Sequence, residues 1–208
     1  MANVADNTVL TDKTSAQSVV TAIINAPIER IDIVGWLRNL PDKEYQRCAP
    51  PDHKAVGYTT TDDGRPMSIN VEMIGTSLMV QHYVYEIVEQ LHCRMVSLSD
   101  VLTPRGWTTV QVIWDLNITD NGDGTCTYTN SVTGHPTADF VALAERSGTR
   151  FDVIAPATQA AAHAHNQLET PRYAASIECW SLAHEKAAPG GGRRAGAKNH
   201  DHSLESSE

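Results

Sequence analysis

The segment from Phe151 to Lys186 constrains the fold more than any other. Its stretch from Ala157 to Ala164 is rich in alanine, the best helix former, and the helical pattern continues through Ser176 and Trp180. A helix of this length draws most of its stability from packing, so it must lie over elements that cover one of its faces. The preceding chain supplies them. Ser68 to Met73 alternates strictly, and Leu78 to Ile87, His92 to Leu98, Thr108 to Ile118 and Thr125 to Val132 are rich in β-branched or aromatic residues, which predicts a meander of hairpins. Between the last two strands, Asp120 to Gly124 carries the Asn-Gly and Asp-Gly signals of a hairpin turn and lacks the downstream carboxylate that a calcium loop needs.

Ahead of the meander, Ser18 to Ile24 reads as a strand stopped by Pro27. A helix follows from an Asp32 N-cap to about Asn39, with Ile33, Val34, Trp36, Leu37 and Leu40 on its inner face. A second short helix spans Asp42 to Cys48 and ends at Pro50 and Pro51, and a third runs from Thr137 to Arg146, stopped by Gly148. This order of strand, two helices, hairpin strands and long C-terminal helix resembles the helix-grip fold, also called Bet v 1-like or START-like. The resemblance implies an α+β domain whose curved antiparallel sheet wraps the last helix and encloses a pocket. It implies no activity, because carriers, cyclases and hydrolases share that fold.

With 208 residues and 41% hydrophobic content, the chain has enough apolar surface for one domain, placed at residues 17–186. Residues 1–16 and 187–208 are polar and unpatterned and are expected to be disordered, with His200 and His202 part of a solvated tail. No apolar run approaches the ~18 residues of a membrane span, and the N-terminus lacks the basic start and apolar core of a signal peptide. A cytoplasmic protein with no membrane partner is the expectation. A net charge of −9 argues against a nucleic-acid partner, since phosphate binding needs clustered Lys and Arg. Cys48, Cys93, Cys126 and Cys179 have no CxxC spacing and read as reduced, mostly buried thiols.

His165 and Glu169 stand four positions apart, so on a helix an imidazole and a carboxylate reach the same point. Projected at about 100° per residue, Thr158, Ala161, Ala162, His165, Glu169, Tyr173, Ser176 and Trp180 share that side. Small side chains beside two ligand-type residues leave space where a core helix would carry Leu or Ile, which predicts a cavity. Pro171 removes one helical amide and should kink or loosen the helix there. On the strand from Ser68 to Met73, Glu72 shares a face with Ser68 and Asn70, opposite Ile69, Val71 and Met73. If that polar face is concave, Glu72 enters the cavity. The alternation alone favours the other placement, a solvated carboxylate. His53 is expected on a rim loop, with Asp52 available to orient its imidazole.

The stretches from Trp36 to Leu40, Tyr45 to His53, Val71 to Gly75 and His165 to Glu169 together are similar to the diacetylphloroglucinol hydrolase and phloretin hydrolase family. That resemblance implies His53, Glu72, His165 and Glu169 as metal ligands, and Tyr45 as a group that contacts a phenolic oxygen of the substrate. Tyr128, His82 and His135 are weaker candidates for pocket groups, Tyr128 being grouped with Tyr45 as catalytic. The donor set of two imidazoles and two carboxylates suits zinc, with manganese or iron also compatible. The implied activity is hydrolysis of a carbon–carbon bond in an acylated phenol or polyketide-like molecule, on a small aromatic or β-dicarbonyl substrate; a homodimer is left open. The chain departs from the family in its short His53 to Glu72 connection and in carrying Trp36 alone where a tryptophan pair is usual. A metal-free ligand carrier or polyketide-cyclase-like protein is the alternative.

Overall fold

A computed structural model describes residues 6–183. Strand β1 (Ala16–Ile24) leads through a single 3-10 turn to α1 (Ile33–Arg38) and α2 (Asp42–Cys48). Six strands follow: β2 (His53–Thr60), β3 (Pro66–Ile74), β4 (Ser77–Glu89), β5 (His92–Thr103), β6 (Gly106–Asp120) and β7 (Cys126–Pro136). Helices α3 (Ala138–Arg146) and α4 (Phe151–Ala183) complete the described chain. The strands form one antiparallel sheet in the order β1-β7-β6-β5-β4-β3-β2, so all consecutive strands from β2 to β7 are neighbours and only β1 joins from a distance. None of the described helices is long and apolar enough to cross a membrane.

Both sheet edges are capped by helix side chains. On β1, the Gln17 N–H donates to Gln159 Oε1 at 2.7 Å and its carbonyl accepts from Gln159 Nε2 at 2.8 Å, so one α4 side chain imitates a neighbouring strand. The Asn25 N–H donates to Glu178 at 2.8 Å further along. On β2, the Val56 N–H donates to Asp42 at 2.9 Å, and Gln46 donates to the Lys54 carbonyl at 2.9 Å. Satisfied edge groups leave less template for another chain to pair with.

Helix α1 starts where the sequence indicates, with the Asp32 carboxylate accepting from the Gly35 N–H at 2.8 Å. Its apolar face buries Ile33, Val34, Trp36 and Leu37 against the sheet and α4. Each fully buried large side chain of this kind contributes roughly 1.5–3 kcal/mol. A β-carbon on Gly35 would lie 2.5 Å from the Asp32 carboxylate and 2.8 Å from the Trp180 ring. Gly35→Ala is therefore expected to lower stability by about 1–3 kcal/mol in urea unfolding, although alanine is the better helix former.

Two expectations need correction. Residues 6–15 are not a free N-terminus: Leu10 and Ser15 donate backbone bonds to Pro136 and Gly134 at 2.9 Å each, and Val9 bridges Thr137. These backbone pairings need no apolar pattern, so composition does not reveal them. His53, expected on a rim loop, opens a strand, and β2 to β3 forms a hairpin. Its mostly exposed side chains give it no alternation to detect. Helix α4 continues through both Pro156 and Pro171. The residues expected to form the C-terminal tail, with His200 and His202, lie outside the described residues.

Candidate metal centre

The ligand-type residues are brought together by sheet register and helix pitch. On β3, Ser68, Asn70 and Glu72 are buried whereas Ile69, Val71 and Met73 are only partly covered, so the polar face is the concave one. The alternation alone points the other way. The convex apolar residues are sheltered instead by cross-strand neighbours, Val80 opposite Val71 and Val84 opposite Met67. His53 is not on a rim loop: it opens β2 directly opposite Glu72 and is 4% exposed. Helix α4 supplies His165 and Glu169, both buried.

Each imidazole Nε2 approaches both carboxylates. His53 Nε2 lies 3.5 Å from Glu72 Oε2 and 3.2 Å from Glu169 Oε2; His165 Nε2 lies 3.4 and 3.5 Å from the same two atoms. Ligand atoms of His53, His165 and Glu169 all lie within 4.8 Å of one another. Tetrahedral ligands at the usual zinc distances of about 2.0–2.2 Å stand about 3.3–3.6 Å apart, so the nitrogen–oxygen spacings match that set.

The outer nitrogens decide what the inner ones offer. His53 Nδ1 lies 2.7 Å from the Tyr45 carbonyl, which can only accept, so Nδ1 carries the proton. His165 Nδ1 lies 3.0 Å from the Asp52 carboxylate and is fixed in the same sense. In the neutral tautomers both Nε2 lone pairs then face carboxylate oxygens, an arrangement that a cation between them satisfies. His165 Nε2 is buried with no hydrogen-bond partner among the described residues. Burial alone would push the His165 imidazolium down, yet the Glu72 and Glu169 carboxylates outweigh it and hold it up at about 12. Burial would likewise raise the Glu169 carboxyl, and the neighbouring His165 and His53 imidazoles lower it instead. Both directions record the same demand for positive charge at this point.

A second layer fixes the four side chains. The Tyr45 ring stacks on His53 with centroids 3.8 Å apart and planes 1° from parallel, and its hydroxyl donates to Glu72 Oε2 at 3.1 Å. Burial raises the Tyr45 phenol well above its usual range, and the Glu72 and Glu169 charges add to that, so it stays protonated. Asn130 on β7 donates to Glu169 Oε1 at 3.0 Å and accepts from Trp114 Nε1 at 2.8 Å. Asp52 was expected to orient His53; it holds His165 instead, because the Tyr45 carbonyl already occupies the His53 outer nitrogen. Replacing Asp52 by Asn, whose side chain lies partly in solvent, is expected to weaken zinc affinity about 10–100-fold in competition with a chelating dye while leaving the fold intact.

Glu72, His165 and Glu169 line one end of a cavity of about 660 Å³ between α4 and the sheet, and His53 is not among its lining residues. Thr158, Ala161, Ala162, His165, Glu169 and Tyr173 line it as the helix projection indicates. Ser176 and Trp180 do not: Ser176 accepts from Trp36 Nε1 at 3.1 Å, so α1 closes that end. Aromatic wall is supplied by Tyr83, Trp114 and Tyr173, with ring centroids 5.4 and 6.0 Å apart in succession. Tyr128 is fully buried in the core and does not line the cavity. His82 lies on the opposite face of β4 from Gln81 and Tyr83, and His135 is tied to the Lys13 carbonyl at 2.8 Å. Asn130, which holds Glu169, and Gln81, which lines the cavity, are polar residues that pattern reading misses; each follows the inward alternation of its strand, which is the only sequence signal they carry.

No protein-family model matches the chain, and no curated protein sequence matches it. Solved structures do. The Zhui aromatase/cyclase from a Streptomyces species superposes with a TM-score of 0.53 over 84% of this chain and 98% of that one, at 9% identity. A START superfamily protein from Mycobacterium smegmatis gives 0.46 over 80% and 97%, at 13% identity. Norcoclaurine synthase from Thalictrum flavum gives 0.43 over 82% and 89%, at 15% identity. At such identities a structural match speaks for the fold alone. With seven antiparallel strands curved around a long C-terminal helix, the chain has the helix-grip fold.

Proposed function

We propose that this chain is a zinc-dependent hydrolase that cleaves the carbon–carbon bond between an acyl group and an electron-rich ring. The observation that carries the reading is the approach of two imidazole nitrogens to two carboxylates, all four within 3.2–3.5 Å of their cross partners, at the end of an aromatic-walled cavity. His53, Glu72, His165 and Glu169 would hold the ion. When bound, zinc supplies a Lewis acid for a carbonyl oxygen and lowers the pKa of a neighbouring water.

The chain's own residues do the rest. Tyr83, Trp114 and Tyr173 offer flat apolar surface on which a ring can stack. Tyr45 keeps its proton and holds Glu72 through it, so its role is to position a ligand rather than to shuttle a proton. Asp52 and Asn130 hold His165 and Glu169 in the same way. In the overall reaction the hydroxyl of water joins the acyl carbon and its other hydrogen ends on the ring carbon, which must be protonated before it can leave.

The test is the release of acetate from an acetylated polyhydroxybenzene by zinc-loaded protein. Release that stops with a chelator and returns with zinc supports the reading; release indifferent to both contradicts it. A metal-free carrier or cyclase-like protein is the second reading, supported by the mainly apolar walls formed by residues such as Met79, Val101, Val110 and Val132. It requires ligand binding that chelation leaves unchanged.

A further inference from the structure

Gln81 is a polar group in the cavity that the metal-centred reading does not use. It sits on β4, is 3% exposed, lines the cavity, and its carbonyl oxygen Oε1 is buried with no hydrogen-bond partner among the described residues. A buried acceptor left unpaired is destabilising, a penalty that a leucine of similar shape would avoid. Its surroundings are built rather than accidental. Across the β3–β4 pair Gln81 faces Asn70, which is 3% exposed, lines the same cavity and accepts from Ser68 Oγ at 2.8 Å. Its side chain also interacts with that of Tyr83, another residue of the cavity wall. In the same register Glu72 faces Met79, two residues before Gln81. The Gln81 row therefore lies one inward step, roughly 6.6–6.8 Å along the strand, from the Glu72 row.

We propose that Gln81 is a specificity-determining acceptor for a hydroxyl or N–H group that the substrate carries on the side of its ring away from the reacting acyl group. The proposal rests on the reading of the Glu72 end as the place where the acyl carbonyl reacts. A molecule with a carbonyl at one end and a donor across a six-membered ring spans the two rows, satisfies Oε1, and leaves the ring against Tyr83 and Trp114. A ring with an ether or hydrogen at that position buries Oε1 still unpaired.

The experiment titrates zinc-loaded protein with para-hydroxyacetophenone, para-methoxyacetophenone and acetophenone, following Trp114 and the other tryptophans by fluorescence, with zinc content measured in the same samples. The hydroxy compound is expected to bind about ten- to a hundredfold more tightly than the methoxy compound. Gln81→Leu should abolish that preference, retain zinc, and melt at the same or a higher temperature, which a merely structural glutamine would not allow. Gln81→Met serves as a second apolar variant with the same expected loss. Equal binding of the hydroxy and methoxy compounds by the unaltered protein, retention of the preference in both variants, or no binding of any of the three at millimolar concentration overturns the inference. A preference shown by protein that holds no zinc upholds this inference and removes the metal reading; zinc without a preference does the reverse.

Discussion

Glu169→Ala is expected to yield protein that retains little zinc through dialysis, with acyl cleavage lost. The carboxylate is one of two that approach both histidine nitrogens, at 3.2 and 3.5 Å. Removing a ligand itself should weaken affinity beyond the 10–100-fold typical of losing a residue that merely orients one. The consequence for stability follows by mass action. A metal present at about a thousand times its dissociation constant stabilises the native state by about 4 kcal/mol, provided it binds only that state. For a chain of 208 residues that corresponds to roughly 8–16 °C in melting temperature. Chelator should therefore lower the melting temperature of the unaltered protein by that amount and leave the variant unmoved. Equal chelator sensitivity in the two would contradict a role for Glu169 in holding the ion.

Ala161→Phe separates the cavity from the metal. Ala161 lines the cavity one helical turn before His165 and offers no ligand atom itself. A phenyl ring there occupies space that a bound ring would fill while leaving His53, Glu72, His165 and Glu169 in place. Denying the ligand the burial of three or four CH₂-sized groups, at about 0.8 kcal/mol each, amounts to roughly a hundredfold loss of affinity. Zinc content should be unchanged. Undiminished affinity for an acylated aromatic probe would place its binding outside this cavity.

Sequence periodicity carries most of the fold. The strands of the meander and all four helices stand within a few residues of where propensity, caps and proline place them, because each has either alternation, a capping aspartate or threonine, or a breaking residue at its boundary. Strand β2 was illegible because it is an edge with mostly exposed side chains, and its order comes from pairing with β3 and capping by α2. The spacing of His165 and Glu169 puts them on one helix face, and the small residues beside them carry the signal of a cavity there. Glu72 has no such signal, since burial of a polar strand face beside a cavity inverts the usual rule and becomes visible only once the sheet curves around α4. His53 depends on the register that sets it opposite Glu72. Asn130 and Gln81 act through single side-chain atoms in three dimensions, and a one-dimensional pattern records only which way their strands face. Pro171 stands within α4, tolerated where tertiary packing holds both neighbouring turns, Glu169 and Thr170 on one side and Tyr173 and Ala174 on the other being buried.

The most direct measurement is zinc K-edge X-ray absorption, with elemental analysis, on protein purified without any metal-affinity step. The expected result is about one zinc per chain, with nitrogen and oxygen neighbours at about 2.0–2.2 Å, the outer-shell signature of two imidazoles, and no sulfur. Protein that contains no zinc and takes up none on incubation, or zinc bound through cysteine sulfur, would contradict a centre built from His53, Glu72, His165 and Glu169.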